Sequence, residues 1–317
     1  MKTITVNRDK HPCFNASVKG KFGRLHLPVA PKCNVKCKFC NRKYDCVNES
    51  RPGVTSTVLS PTQSVTYIEK VLAKEPRISV VGIAGPGDPF ANANKTMSTL
   101  RSVRARFPEL ILCLASNGMN LAPYVDELAD LGVSHVTVTI NAVDPSIGAK
   151  IYSWVRDGKI VYRGLQAGKL LLERQLDAVS RLKDNDITVK VNTIVIPSIN
   201  DHHLLDIAKK MKEMNVDLLN CMAMLPNAGT PFGHIIEPSK QEIYKIRKQA
   251  EQFLPQMRHC TRCRADAVGL LDEDRTNELR GCLTACSAKP NVQSEQLVQV
   301  VEAARKCTLP KMHIGRG

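Results

Sequence analysis

The chain has 317 residues, of which 43% are hydrophobic and 24% charged, a composition ordinary for a globular protein with a large buried core. No apolar run approaches the ~20 residues of a membrane span, and residues 1–14 lack the features of a signal peptide, so we expect a cytoplasmic protein without a membrane partner. The formal net charge of +15 comes from scattered Lys and Arg with few aromatic residues, which argues against specific nucleic-acid binding and fits a solvated basic surface or an anionic substrate.

Six apolar, β-branched runs alternate with helical patterns along the chain. The predicted strands are residues 24–29, 78–84, 110–115, 135–140, 188–196 and 218–225, and the predicted helices are residues 61–74, 94–107, 121–131, 169–182, 202–214 and 240–254. Capping boxes from Ser60 to Gln63 and from Ser239 to Glu242 mark where the first and the last of these helices begin. The alternation predicts βαβ units and a parallel sheet, either open or a partial barrel, with the chemistry in loops at the carboxyl ends of the strands.

The strand pattern divides the chain into four parts. Residues 1–22 form an N-terminal extension, and residues 23–225 carry the six strands. Residues 226–290 form a cysteine-containing C-terminal extension, and residues 291–317 form a tail with one short amphipathic helix. Residues 141–168, between the fourth and fifth strands, are polar and contain glycines, and we interpret them as an active-site insertion.

Three cysteines directly follow the first predicted strand. Cys33, Cys37 and Cys40 are separated by three and then by two residues, so their thiols converge only if the loop wraps around something. Cysteine thiolates hold iron–sulfur clusters, and three ligands leave one iron of a 4Fe–4S cluster open to a substrate. A zinc site with Cys46 as the fourth ligand is the main alternative. The position at a strand end favours the cluster.

This CxxxCxxC loop, with the aromatic Phe39 before its third cysteine, resembles that of the radical S-adenosylmethionine (SAM) superfamily. The resemblance implies a partial (β/α)6 barrel of the TIM-like, radical SAM type. It also implies a SAM-binding 4Fe–4S cluster held by Cys33, Cys37 and Cys40. We expect cysteine-bearing N- and C-terminal extensions to close the mouth of this barrel.

The resemblance also implies a SAM site at the ends of the second, third and fourth strands. The run from Gly85 through Gly87 and Asp88 to Pro89 aligns with the superfamily's Gly-Gly-Glu-Pro-like turn, with Asp in place of Glu, and would hold the methionine amino group. Other polar side chains at strand ends would bind the SAM carboxylate or ribose, unless they only form turns or helix caps. They are Ser116, Asn117 and Asn141.

The other thiols fall into two groups. Those near predicted loops or strand ends are Cys13, Cys46, Cys113, Cys260 and Cys263. The CxxC pair Cys260 and Cys263 suits a metal, a cluster or a redox disulfide. Cys113 points the same way along its strand as Asn117. Cys221 is typical of a buried core, Cys282 and Cys286 have i, i+4 spacing, and Cys307 has no obvious partner.

Three longer segments resemble the nitrogenase cofactor maturases within this superfamily. They run from His11 to Asn15, from Cys40 to Gly53 and from Cys263 to Gly269. The resemblance implies three 4Fe–4S clusters, one SAM-binding and two auxiliary. The auxiliary clusters are fused, with a SAM-derived carbide, into the eight-iron precursor of the nitrogenase cofactor. It also implies a ferredoxin- or flavodoxin-type electron donor, and scaffold and carrier proteins of nitrogenase assembly. We expect a separate carrier, because the chain is too short for the carrier domain of some relatives.

The implied auxiliary ligands divide into two sets. Five placed cysteines are one fewer than two three-ligand clusters need, so a histidine is expected as the sixth ligand. The first set is His26, Cys46 and Cys113, and the second is Cys13, Cys260 and Cys263. His11 is the reserve for His26, which by residue type alone is more typical of a hydrogen-bonded core group. Glu49 and Arg51 are expected to handle protons or to support the clusters, a surface salt pair being the alternative.

Two other functions remain open at this stage. A radical SAM maturase with auxiliary clusters that modifies a peptide would share the cysteine loop and the barrel. A nucleic-acid regulator carrying zinc or a cluster is favoured only by the net charge of +15. The oligomeric state, the electron donor and the carrier cannot be read from the residues.

Overall fold

A curled seven-stranded sheet forms the centre of the computed structural model, which describes residues 6–50 and 53–287. In chain order the strands are β1 (Gly23–His26), β2 (Val35–Cys37), β3 (Ile78–Ile83), β4 (Ile111–Ser116), β5 (Val133–Thr139), β6 (Tyr152–Asp157), β7 (Ile160–Tyr162), β8 (Thr188–Val195), β9 (Leu218–Ala223) and β10 (Val268–Gly269). The helices are α1 (Pro61–Leu72), α2 (Ala93–Arg106), α3 (Val125–Asp130), α4 (Pro145–Ile151), α5 (Gly164–Asp184), α6 (Leu204–Glu213), α7 (Lys240–Ala250) and α8 (Thr276–Ser287).

The main sheet has the order β10-β1-β3-β4-β5-β8-β9. All neighbours pair in parallel except β10, which is antiparallel to β1. The six parallel strands are the six that the sequence predicts, and a helix follows each of them, so the predicted partial (β/α)6 barrel is confirmed. Its core is an apolar cluster of residues from the strands and the surrounding helices.

Local sequence signals fix where the first and last predicted helices begin. Ser60 Oγ accepts the Gln63 N–H at 3.2 Å, while Gln63 Oε1 accepts the Ser60 N–H at 2.8 Å. Ser239 and Glu242 make the same reciprocal pair before α7. Both capping boxes are therefore confirmed, because each satisfies backbone donors that the first helical turn leaves free.

The insertion between β5 and β8 is more regular than its composition indicates. It contains α4, β6 and β7, and α5 begins at Gly164 rather than at residue 169. Gly168, which we interpreted as part of a loop, lies in a close helix crossing, since a Cβ on it would lie 2.2 Å from the Pro145 carbonyl oxygen. Strand β6 pairs with β2 inside the cysteine loop, in a second sheet of order β2-β6-β7. The insertion thus braces the cysteine loop.

The C-terminal extension runs from one edge of the main sheet to the other. Beside β9, the Leu219 N–H donates to Pro255 O at 2.9 Å and the Met257 N–H donates to Leu219 O at 2.8 Å. Farther along, β10 pairs with β1. The N-terminal extension touches the same segment, because the His259 ring nitrogen Nε2 lies 3.0 Å from Pro12 O. Residues 255–269 therefore connect the two open edges.

The last two expectations concern the C-terminal tail and the absence of membrane-spanning helices. The amphipathic helix predicted after residue 291 lies outside the described residues. In the part of the chain that the structure describes, no helix is both long and apolar enough to cross a bilayer.

Candidate metal centre

The three cysteines of the loop lie before β2 (Cys33), at its last residue (Cys37) and after it (Cys40). Cys37 and Cys40 are buried, and Cys33 is half-buried. Burial raises the pKa of Cys33 to about 12 and that of Cys37 above its usual range. Such thiols stay protonated unless a positive charge replaces the proton, and a bound metal does so because it is held by thiolates. The donor set therefore fits an iron–sulfur cluster.

The turn after β3 packs tightly against the cysteine loop. A Cβ on Gly87 would lie 2.1 Å from Lys32 O, so only glycine fits there. The Asp88 carboxylate accepts four hydrogen bonds, from the N–H groups of Phe90, Ala91 and Asn117 and from Ser116 Oγ. Burial raises the pKa of Asp88, although these donors favour its ionised form. Asp88 thus ties the ends of β3 and β4 together.

A small cavity of about 20 Å³ opens between these loops; we call it the first cavity. Its lining includes Cys33, Cys37, Gly87, Asp88, Ser116 and Asn117. The Asn117 amide nitrogen lies 2.8 Å from Asn34 Oδ1 and 3.7 Å from Cys33 Sγ. The structure therefore brings most of the sequence-predicted SAM residues around one space.

The other predicted SAM residues, Phe39, Gly85 and Asn141, are not among the residues that line this cavity. Phe39 is fully buried in the apolar cluster beneath the cysteine loop. Gly85 accepts the Ala30 N–H at 3.2 Å. Asn141 is fully buried, and its Oδ1 accepts the Ile194 N–H at 2.8 Å. Asn141 therefore links the end of β5 to β8, in keeping with a turn-forming role.

A second cavity of about 70 Å³ adjoins the first; we call it the auxiliary cavity. Five of the six predicted auxiliary ligands line it, together with the reserve histidine. They are Cys13, His26, Cys113, Cys260, Cys263 and His11. Glu49 and Ala115 line both cavities. Residues from the N-terminal extension, all six parallel strands and the C-terminal extension thus share one space.

The two histidines differ in which ring nitrogen is free. His26 Nδ1 lies 2.9 Å from Arg264 O, and because a carbonyl only accepts, the proton is on Nδ1 and the lone pair on Nε2. His11 Nδ1 instead accepts the Cys13 N–H at 3.2 Å, so its proton is on Nε2. Burial lowers the pKa of His26 to about 4 and that of His11 below its usual value, which keeps both rings neutral. Only His26 offers the geometry typical of a metal ligand.

His26 and Cys113 meet above a glycine. A Cβ on Gly82 would lie 2.8 Å from Cys113 Sγ and 3.2 Å from His26 Cδ2. Gly82 therefore leaves open a cradle that any other side chain would fill. Burial raises the pKa of the Cys113 thiol, as expected for a donor that has no metal on it.

The remaining thiols of the auxiliary cavity come from the extensions. Burial, with a smaller contribution from the neighbouring Cys263 and Cys260, raises the pKa of Cys13 to about 12, although Lys190 and Arg24 act to lower it. The buried Arg24 on β1 donates from Nε to Cys263 Sγ at 3.3 Å. A guanidinium beside a thiol favours the thiolate. All the described cysteines are free thiols.

Cys46 lies in the first cavity rather than in the auxiliary cavity. The Asn48 amide nitrogen lies 3.6 Å from Cys37 Sγ and 3.6 Å from Cys46 Sγ, so these two thiols share a donor. The structure therefore does not place Cys46 in the same space as His26 and Cys113. Burial raises the pKa of the Cys46 thiol, and Glu49, which lines both cavities, lies close enough for its carboxylate to raise that pKa as well.

Glu49 stands at the boundary of the two cavities, since it lines both. Its carboxylate accepts Thr139 Oγ1 at 2.6 Å and Asn192 Nδ2 at 2.8 Å. Burial raises its pKa to about 7 despite these donors, so it can hold or release a proton near neutral pH. Arg51, the other predicted proton-handling residue, lies outside the described residues.

Other cysteines belong to the apolar core. Cys221 on β9 and Cys282 and Cys286 on α8 are buried in the main cluster. Cys307 lies outside the described residues. Among residues 6–50 and 53–287, no three His, Cys, Asp or Glu side chains could hold a single metal ion. A 4Fe–4S cluster makes a different demand, because each ligand binds its own iron.

The sequence-based prediction of site residues missed a row of polar side chains on neighbouring strands inside the barrel. Thr137 and Thr139 on β5 lie beside Lys190 and Asn192 on β8 in register, and Asn192 lies beside Asn220 on β9. In the sequence, Lys190 and Asn192 alternate with Val189 and Val191. That alternation is a signal for a polar lumen face, which the hydrophobicity of the strand as a whole hides.

Comparison with known proteins gives one family match and several relatives. The sequence profile of the radical SAM superfamily matches residues 27–211. The chain is 49% identical over 312 residues to the FeMo cofactor biosynthesis protein NifB of Chlorobaculum tepidum, covering 98% of this chain and 74% of that protein. It is 45% identical to the protein of the same name from Methanocaldococcus jannaschii, covering 84% and 88%. It is 46% identical to the protein of the same name from Klebsiella pneumoniae, and the match covers 84% of this chain and 58% of that protein. The chain therefore spans little more than half the length of that relative.

Proposed function

Because this chain belongs to the radical SAM superfamily and, within it, to the family of FeMo cofactor biosynthesis proteins NifB, we propose that it builds a nitrogenase cofactor precursor. In this proposal it fuses two 4Fe–4S clusters, with a carbide derived from SAM, into an eight-iron unit. The proposal rests on one observation: the two thiol-lined cavities adjoin each other. Fusion needs the SAM site and the clusters to lie side by side.

The first cavity is the proposed SAM site. Cys33, Cys37 and Cys40 would hold the SAM-binding cluster, which supplies the electron that cleaves SAM to a 5′-deoxyadenosyl radical. The Gly87 turn leaves backbone close to the cavity, and Asn117 presents an amide beside Cys33. These residues bind and orient SAM and shield it from water, while the cofactor carries the chemistry.

The auxiliary cavity is the proposed place of the two clusters to be fused. One proposed set of ligands is His26 and Cys113 of this cavity with Cys46 of the adjoining first cavity, and the other is Cys13, Cys260 and Cys263. The free Nε2 lone pair supports His26 over His11. The Arg24–Cys263 hydrogen bond supports the second set. Incomplete cysteine ligation suits clusters that are consumed as substrate and released.

Glu49 is proposed to move a proton at the boundary of the two cavities. Its carboxylate faces both spaces, and its pKa of about 7 lets it accept a proton during the conversion of a methyl group to carbide. Thr139 and Asn192 hold the carboxylate in place. Arg51 is still proposed to act with Glu49, in handling protons or in supporting the clusters.

The proposed partners follow from the reaction. A ferredoxin- or flavodoxin-type protein supplies electrons, and scaffold and carrier proteins of nitrogenase assembly deliver clusters and receive the product. We propose a cytoplasmic protein with no membrane and no specific nucleic-acid partner. The proposed domains are the N-terminal extension (1–22), the barrel (23–225), the C-terminal extension (226–290) and the tail (291–317).

Iron counting on anaerobically reconstituted protein tests this proposal. About twelve irons per chain, three cubes of the 4Fe–4S type, are expected. Replacing Cys260 and Cys263 by Ala should remove about one cube and stop formation of the eight-iron unit, but leave 5′-deoxyadenosine formation measurable. Cys37→Ala should abolish 5′-deoxyadenosine formation and leave the auxiliary iron largely in place.

The double variant Cys282→Ala, Cys286→Ala is the matched control, because it removes two thiols that are buried in the apolar core and line neither cavity. It should keep all the iron. Four irons in the unmutated protein would favour the peptide maturase. Zinc without iron would favour the nucleic-acid regulator.

A further inference from the structure

Lys190 is a buried cation on the wall of the auxiliary cavity. Only 7% of its surface is exposed. Its Nζ lies 5.1 Å from the ring centre of Phe14 and 3.8 Å from Met257 Sδ. Within the described ranges, no carboxylate lies within 4 Å of its ammonium group. Glu49, the acid that lines the same cavity, has its oxygens engaged by Thr139 and Asn192.

His11 is a second donor on the same wall. It is 2% exposed, and its Nε2 has no hydrogen-bond partner among the described residues. Because Nδ1 accepts the Cys13 N–H, the ring proton is on Nε2. The ring packs edge-on against Phe14 at 4.7 Å between centres and against His135 at 4.5 Å. Phe14 thus contacts both donors and fixes them relative to each other.

A buried ammonium with no carboxylate of the described residues within 4 Å and a buried N–H without an acceptor are both unfavourable, even though Glu49 acts on Lys190 from farther away. Two of them on one cavity wall indicate that the cavity is built for an occupant that is anionic and has several acceptor atoms. The same cavity is also lined by the thiols Cys13, Cys113 and Cys263. An iron–sulfur cluster with thiolate ligands meets all three conditions, since it is anionic, binds thiolates and offers sulfides as acceptors.

We propose that the His11 Nε2–H and the Lys190 ammonium form a donor wall that binds the sulfides of an iron–sulfur substrate in the auxiliary cavity. The inference rests on the proposed function, because it takes that cavity to hold the clusters. Lys190 and His11 are positioning residues and not ligands. By adding positive charge and hydrogen bonds at the sulfides, they make the bound cluster easier to reduce.

A redox titration followed by EPR tests the donor wall. The background carries Cys33→Ala, Cys37→Ala and Cys40→Ala, so that only auxiliary clusters contribute a signal. Into it are placed Lys190→Met, which keeps the length but removes the charge, and Lys190→Arg, which keeps the charge. His11→Phe and His11→Gln form a second pair, without and with a donor. Lys209→Met is the matched control, since Lys209 lies over the Phe253 ring at 5.6 Å on the exposed side of α6.

Lys190→Met is expected to make one-electron reduction of the auxiliary clusters about tenfold less favourable, a shift of about 59 mV to more negative potential. His11→Phe is expected to shift it in the same direction, while Lys190→Arg, His11→Gln and Lys209→Met stay close to the background. If Lys190→Met loses the auxiliary iron altogether, retention of that iron by Lys190→Arg supports the donor wall equally.

Equal potentials in Lys190→Met and in the background would overturn the inference. The inference would also be overturned if Lys190→Met and Lys190→Arg lost the same amount of iron, or if both shifted the reduction potential by the same amount. A background protein that binds no auxiliary iron would instead show that the proposed function fails, and the donor wall would fall with it. The iron content of the background therefore distinguishes the two failures.

Discussion

Gly82 on β3 leaves the space in which His26 and Cys113 meet. An added Cβ would lie 2.8 Å from Cys113 Sγ, closer than real side chains approach, so the thiol or the imidazole must move. We expect Gly82→Ala to lose about four irons per chain, one cube, while the SAM-binding cluster remains. Iron analysis and the yield of 5′-deoxyadenosine measure the two effects.

Gly281→Ala is the control for that substitution, because Gly281 lies in α8 with nothing within 4 Å of an added Cβ. It should keep all the iron and stabilise the helix slightly. Full iron content in Gly82→Ala would show that His26 and Cys113 do not hold a cluster together.

Glu49 gives the protein a predicted pH dependence. Burial raises its pKa from an ordinary value of about 4.5 to about 7, so the native state binds the proton more tightly than the unfolded state. The contribution of Glu49 to stability is therefore full at pH values below about 4.5 and is lost as pH rises toward 7. Glu49→Gln, which mimics the protonated form, lacks this loss.

The measurement is the difference in melting temperature between the unmutated protein and Glu49→Gln, on anaerobic preparations of equal iron content. From about pH 5 to about pH 7 the melting temperature of the unmutated protein should fall relative to that of the variant. Above that range the difference in melting temperature should level off. A difference that does not change with pH would contradict burial of the carboxylate between the two cavities.

At the residue scale, the sequence predicts types and spacing better than orientation. The CxxxCxxC loop and the CxxC pair are visible because their members are close in the chain. The choice between His26 and His11 depends instead on the Arg264 carbonyl and the Cys13 N–H, which only the folded chain brings to the two rings. Lys190 was missed because its strand was interpreted as apolar throughout.

Among the secondary-structure elements, α4 and α5 cross at two glycines. A Cβ on Gly168 would lie 2.2 Å from Pro145 O, and one on Gly148 would lie 3.3 Å from the Gly168 Cα. Gly168→Ala must therefore push α4 away, and we expect it to cost about 1–3 kcal/mol of stability. Because β6 follows α4 directly and pairs with β2, the EPR signal of the SAM-binding cluster should broaden as well.

Gln166→Ala is the control, because Gln166 lies in the same helical turn as Gly168 but is exposed. It should change the free energy of unfolding by less than about 0.5 kcal/mol. Chemical denaturation gives the stability of both variants. Equal stability of Gly168→Ala and the unmutated protein would mean that the crossing is looser than the structure shows.

The predicted elements succeed where their signals are local. Capping boxes at Ser60 and Ser239 lie within four residues of chain, and the six parallel strands are marked by runs of apolar residues. The strands β6 and β7 were not predicted, because β6 is held by β2, far away in sequence, and Ile160 and Val161 on β7 are exposed. Pairing over such a distance leaves little trace in composition.

At the scale of the molecule, the C-terminal extension closes the space between the first and last parallel strands. Its backbone hydrogen bonds to the sheet join Leu219 on one side and β1 on the other. Between these two attachments lies the loop with Cys260 and Cys263. If that loop holds a cluster, then metal binding and closure are coupled, because binding to the closed form stabilises it.

Hydrogen exchange on reconstituted protein tests this coupling. The amides to follow are Met257, which donates to Leu219 O at 2.8 Å, and His26, which donates to Ala267 O at 2.8 Å. In Cys260→Ala, Cys263→Ala we expect both to exchange about tenfold faster, equivalent to about 1.4 kcal/mol of local stability. Amides inside β4 and β5 should keep their protection, since the barrel core does not depend on the loop. The pair Cys282→Ala, Cys286→Ala removes as many thiols but should leave Met257 and His26 unchanged. Unchanged exchange in the first variant, with its iron lost, would show that the extension closes the barrel without any help from a metal.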